Sequence, residues 1–125
     1  MKLFVEFFVA DLKRSRAFYI EALGMKVTNE TAGYIELVLG QAQINLCLIG
    51  AIRHGHFLSK MIDSPVGSRT EFCFEVEDIE ASYDKAVKAG AQILEPIRKM
   101  PWGRTDFRLA DPDGAYLRIT TTVAD

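Results

Sequence analysis

The chain repeats itself, and the repeat limits the fold more than any other feature. "FFVADLKRSRAFYIEALGMKV" opens one half, and "FEVEDIEASYDKAVKAGAQIL" opens the other. Each begins with an alternating apolar stretch that ends in Val-x-Asp, at Val9 to Asp11 and at Val76 to Asp78. Alternation predicts a strand, and an aspartate before an amphipathic run is a helix N-cap. Leu12, Phe18, Tyr19 and Leu23 form the apolar side of the first helix, and Ile79, Tyr83, Ala86 and Val87 that of the second. Glycines, Gly24 and Gly90, stop the two helices. A short apolar segment follows each, Met25 to Val27 and Ala91 to Leu94.

Two further strands close each half. They are "GYIELVL" and "QINLCLI" around Gly40, then "TDFRLA" and "AYLRITT" around "DPDG". The expected fold is α+β: two tandem β-α-β-β-β modules in a curved mixed sheet, forming a single domain over residues 1–125. Module one covers about residues 1–50, a linker about 51–69, and module two about 70–125. The linker holds both histidines, His54 and His56, and a stretch, Phe57 to Ile62, that can form a short helix. Two histidines at i, i+2 with no other donors nearby fit an exposed loop better than a metal pair.

Helices cover one face of each sheet, so polar residues on the other face carry information. On the helix side fall Val5, Phe7, Val9, Phe72, Phe74, Val76, Phe107, Leu109, Leu117 and Ile119. The open side then takes Phe4, Glu6, Phe8, Glu71, Cys73, Glu75, Asp106, Arg108, Tyr116, Arg118 and Thr120. Trp102, on "MPWGR", stands at the rim as a loop anchor or as a platform for a flat molecule. Phe4 and Phe8 suit either a ligand wall or an interface between modules or copies. Glu71 with Arg118 suits either a site or a structural ion pair.

A net charge of −2 does not favour a nucleic-acid partner. The longest apolar stretch, "YIELVLGQAQINLCLIGAI", is broken by Glu36, Gln41, Gln43 and Asn45, so no membrane span is expected. Glu6 interrupts the apolar start, so no signal peptide is expected and the cytoplasm is the expected address. Cys47 and Cys73 are expected as buried thiols rather than a disulfide. No phosphate-cradling glycine loop, nucleophile elbow or cysteine–histidine signature is present.

The opening "FVADLKRSRAFYIEALGMKV", the repeated module and "PWGRTDFRLADPDGAYLRI" resemble the vicinal oxygen chelate superfamily of glyoxalases, extradiol dioxygenases and bleomycin-resistance proteins. The resemblance implies a homodimer with a small-molecule cavity on the open sheet face. Metal-using members keep a ligand seven residues before each strand-end aspartate and another four residues after the glycine of the DPDG-like turn. Here those positions hold Phe4, Glu71 and Arg118. The remaining position falls near Asn45 or Cys47. Phenylalanine has no donor atom and a guanidinium stays cationic, so no metal and no cofactor are expected.

The resemblance therefore points to a metal-independent protein that sequesters an aromatic or cationic molecule, like the bleomycin-resistance members. Its expected ligand-binding residues are Phe4, Glu6, Phe8, Glu71, Cys73, Glu75, Trp102, Tyr116 and Arg118. The expected partners are a second copy and a small molecule, not nucleic acid and not a membrane. The alternative is a lyase, isomerase or dioxygenase with displaced metal ligands. Glu71 is then its one candidate catalytic residue, as a ligand or as a base with a raised pKa. A third reading is an accessory domain whose sheet faces serve only dimerisation.

Overall fold

A computed structural model describes residues 1–51 and 69–122. His54, His56 and the Phe57 to Ile62 stretch lie outside the described residues. The order is β1 (Val5–Val9), α1 (Leu12–Glu21), β2 (Lys26–Thr31), β3 (Tyr34–Leu39), β4 (Ala42–Leu48), a 3-10 turn (Ile49–Ala51), β5 (Phe72–Val76), α2 (Ile79–Lys88), β6 (Gln92–Lys99), β7 (Thr105–Ala110) and β8 (Tyr116–Thr121). This is the expected β-α-β-β-β unit, twice. Both Val-x-Asp signals act as read: Asp11 accepts from the Arg14 amide and Asp78 from the Ala81 amide, each at 3.0 Å. Gly24 and Gly90 take positive φ, +78° and +74°, where a side chain would be strained.

The expected curved sheet consists of two four-stranded mixed sheets, ordered β1-β4-β3-β2 and β5-β8-β7-β6. In each, the strand before the helix lies parallel to the last strand of the module. Strands β2 and β6 run several residues past the apolar segments that announced them. They are edge strands, and the exposed part of "KVTNET" shows no alternation to read.

One core unites the modules. Phe7, Val9, Tyr19, Leu37 and Leu46 from module one join Phe107, Leu109, Leu117 and Ile119 from module two in a single buried cluster. Phe7 and Phe72, on the edge strands β1 and β5, meet edge to face at 5.0 Å. The β7–β8 turn also binds module one directly. Asp111, buried, accepts the Tyr19 hydroxyl at 2.8 Å, and Asp113 accepts the Ala10 amide at 3.0 Å and the Ser15 hydroxyl at 3.1 Å. Burial pushes the Asp111 carboxyl above its ordinary value and the Tyr19 phenol well above its own.

Candidate functional site

The register fixes which residues share an open face. Glu6 pairs with Asn45, and Asn45 with Glu36. Cys73 pairs with Arg118, and Arg118 with Arg108. Glu6 and Cys73 hold the same place in the repeat, five residues before the capping aspartates. Asn45 is therefore the module-one counterpart of Arg118, which settles the choice between Asn45 and Cys47. Phe4, Asn45, Glu71 and Arg118 occupy the four positions at which the resemblance expects metal donors. One carboxylate, one amide, a phenyl ring and a guanidinium do not make a metal site. Among the described residues, no three of His, Cys, Asp and Glu gather closely enough to hold a metal ion.

On module two the open face is a closed network. Arg118 donates through Nε to Asp106 at 2.9 Å and through Nη1 to Glu71 at 3.1 Å. Asp106, 1% exposed, also accepts the Thr120 hydroxyl and lies 3.7 Å from Arg108. Arg108 donates to Glu95 at 2.8 Å and to the Tyr116 oxygen at 2.7 Å. The Tyr116 hydroxyl donates to Glu71 at 2.6 Å, which closes the ring. Beside it, Arg104 pairs with Glu75 at 2.9 Å and Arg98 with Glu95 at 2.7 Å. The four acids Glu71, Glu75, Glu95 and Asp106 are matched by the four arginines 98, 104, 108 and 118.

The hydroxyl of Tyr116 chiefly, and Arg118 with it, hold the Glu71 carboxyl below its ordinary range against the opposing pull of burial. The raised pKa that a metal-free base needs is therefore not found at Glu71; the direction is the opposite. Burial, then the bond to Glu71, pushes the Tyr116 phenol up.

Module one presents amides and phenols where module two presents ions. Asn45, 1% exposed, donates to the Tyr34 oxygen at 2.7 Å and accepts from Gln43 at 3.0 Å; Gln43 in turn accepts from Lys2. Burial, then the charges of Glu6 and Glu36, raise the Tyr34 phenol, and burial, then Glu6, raises the Cys47 thiol. Among the described residues neither Glu6 nor Glu36 has an ion-pair partner. Phe4 stands at the start of this face, 48% exposed.

The structure thus gathers Glu71, Cys73, Tyr116 and Arg118 into one cluster, with Glu75 in the neighbouring ion pair. Phe4, Glu6 and Phe8 stand on the other sheet, and among the described residues the two networks of side-chain hydrogen bonds set out above share no member. Trp102 is 61% exposed at the tip of the β6–β7 loop. Met100, buried, anchors that loop in its place, with its amide on the Arg104 carbonyl at 2.7 Å. Cys73 is exposed and Cys47 half-buried rather than both buried, and both cysteines are free thiols. The reason is register: Cys73 lies between Phe72 and Phe74, which face the helix side, so its own side chain faces out. Asp106, Arg108 and Glu95 complete the site beyond what the spacing singled out. A signal for them exists, since two arginines directly opposed on neighbouring strands require shared counter-charge.

The family model described as "Glyoxalase/Bleomycin resistance protein/Dioxygenase superfamily" matches residues 3–119. A bleomycin resistance protein of Geobacillus stearothermophilus is 30% identical over 116 residues, which cover 84% of each chain. Glyoxalase 1 of Caenorhabditis elegans is 28% identical over 110 residues; these cover 84% of this chain but only 37% of that protein. Among solved structures, an integron cassette protein of V. cholerae superposes with a TM-score of 0.74 at 28% identity, covering 98% of this chain and 95% of its own.

Proposed function

The chain belongs to the glyoxalase/bleomycin resistance protein/dioxygenase superfamily, and from that membership we propose that it is a metal-independent small-molecule-binding protein. It works as a cytoplasmic homodimer that sequesters an aromatic or cationic guest on its open sheet faces. The observation that carries this reading is the donor set. Phe4, Asn45, Glu71 and Arg118 stand where metal-using relatives keep ligands, and Arg118 is already committed to Asp106 and Glu71. Similarity to bleomycin resistance proteins over most of both chains supports sequestration rather than chemistry. Glu6 and Glu36, without an ion-pair partner among the described residues and with Phe4 and Tyr34 beside them, suit a flat cation through charge pairing and cation–π contact.

The test is a titration with bleomycin, read by the fluorescence of Trp102, the sole tryptophan. Saturable quenching is expected, unchanged by a chelator and weakened several-fold by Glu6→Gln with Glu36→Gln. Quenching that needs an added divalent metal, or no saturable signal at all, would sink the reading. Sedimentation in the same buffer should give a dimer; a clean 14.0 kDa monomer counts against shared faces.

A further inference from the structure

The hydrogen bonds around Glu71 have fixed directions, and the directions define a receptor. Arg108 Nε–H can only donate, so the Tyr116 oxygen accepts from it at 2.7 Å. The single phenolic proton is then committed to Glu71 Oε2, at 2.6 Å. Arg118 is oriented in the same way. Its Nε is fixed on buried Asp106, itself held by Thr120, which leaves Nη1 aimed at Glu71 Oε1 at 3.1 Å. Two donors, each braced from behind, converge on the two oxygens of one carboxylate. This is preorganised recognition of an oxyanion, in which Tyr116 gives the shorter bond and Arg118 the full positive charge.

The braces and the occupant differ in how firmly they are held. Asp106 and Arg108 lie in β7, and Tyr116 and Arg118 in β8, inside the ladder. Glu71 precedes β5 and lies outside it. Its side chain is 39% exposed, against 17% for Arg118 and 1% for Asp106. Two residues upstream, Arg69 sits at φ +63°, a left-handed conformation that costs a non-glycine residue energy. The receptor is rigid, and its occupant is the least anchored member of the ring, attached to a strained segment.

We propose that Tyr116 and Arg118 form a carboxylate-binding cradle whose resident is the chain's own Glu71, displaced when a ligand brings a carboxylate of its own. Glu71 thereby acts as an internal competitor that admits a ligand only if the incoming acid outbids a tethered one. The inference is independent of which guest the module-one face takes, because it rests on the module-two network alone.

Acetate is the probe, titrated calorimetrically into the full chain with chloride at matched ionic strength as the control. A tethered carboxylate acts at an effective concentration of roughly millimolar or above. Glu71→Ala should therefore bind acetate at least about tenfold more tightly than the unaltered protein. Adding Arg118→Ala to Glu71→Ala should abolish that binding, and adding Tyr116→Phe should weaken it. If Glu71→Ala does not fold, Glu71→Gln takes its place in the same titration. Equal acetate affinity with and without Glu71 would overturn the displacement. So would a chloride response as large as the acetate response, or no acetate binding to a folded Glu71 variant. None of these outcomes touches bleomycin binding, so this inference and the proposed function fail separately.

Discussion

Laid over each other by the repeat, the two open faces agree in backbone and disagree in chemistry at every polar place. Arg118 answers to Asn45, Arg108 to Glu36, Asp106 to Tyr34, Tyr116 to Gln43, Glu95 to Asn29 and Glu71 to Phe4. Module two spends its charges on one another and comes out neutral. Module one holds fewer charges, leaves two carboxylates without a cation among the described residues, and bonds its buried asparagine to neutral partners. The same fold thus supports a face that is electrostatically closed and one that is open. What a sheet of this shape can receive is decided by the side chains on its second face, not by its topology.

The sharpest way to break the comparison is to remove the counter-charge that module two depends on. Asp106→Ala leaves Arg118 and Arg108 facing each other with their shared anion gone. The expected loss is about 3–5 kcal/mol, as for other broken buried pairs. The matching change in module one, Tyr34→Phe, removes only an acceptor for Asn45, and about 1–2 kcal/mol is expected. Denaturant unfolding of both variants measures the gap. Equal losses would mean that the ionic face is no more demanding than the amide one.

Acid sharpens a second contrast, between the ring and the turn that joins the modules. Glu71 is held below its ordinary value of 4.5, so its contribution is present above that value and lost as pH falls through the lowered one. Asp111 is held above its ordinary value of 3.8. Its burial therefore costs nothing below that value and costs stability as pH rises through the raised one. Melting curves across the acid range should show Glu71→Gln reducing the acid loss, whereas Asp111→Asn should make the loss on acidification steeper. Shifts of the same sign in both variants would contradict the assignment.

The smallest effect expected is the direct coupling of Glu71 to Arg118. Glu71 is more than a third exposed, so a double-mutant cycle with alanine should return under about 1 kcal/mol. A coupling several times larger would make the pair a structural pillar and the cradle implausible.

Much of this is legible in the sequence itself. Val-x-Asp followed by an amphipathic run located both helices, because N-capping is local chemistry. The period of two separated Phe72 and Phe74 from Cys73 and Glu75 correctly, because a pleat has only two sides. The family resemblance puts Glu71, seven residues before Asp78, and Arg118, four after Gly114, at two of its ligand positions, and they meet. The tyrosine and second arginine that complete the ring were visible as face residues but not as partners. Their pairing depends on register between β7 and β8, which periodicity does not supply. The extent of β2 was hidden for a different reason: an edge strand with little to bury leaves no hydrophobic pattern. Trp102 suits an anchor by residue type alone, but Met100, two residues earlier, is the buried one.

The turn that grips α1 has a consequence in time. Tyr19 bonds a carboxylate 92 residues further along, and the Ala10 amide one 103 residues further along. At synthesis rates of about 5–20 residues per second, the first helix emerges between about five and twenty seconds before its partners exist. During that interval module one can draw its strands together, but Tyr19 has no acid to bond and the shared core lacks its second half. The nascent protein is committed to a late, long-range closure, of the kind that slows folding and leaves apolar surface waiting. Helix α1 is made well before the four-residue turn, Asp111 to Gly114, that fastens it.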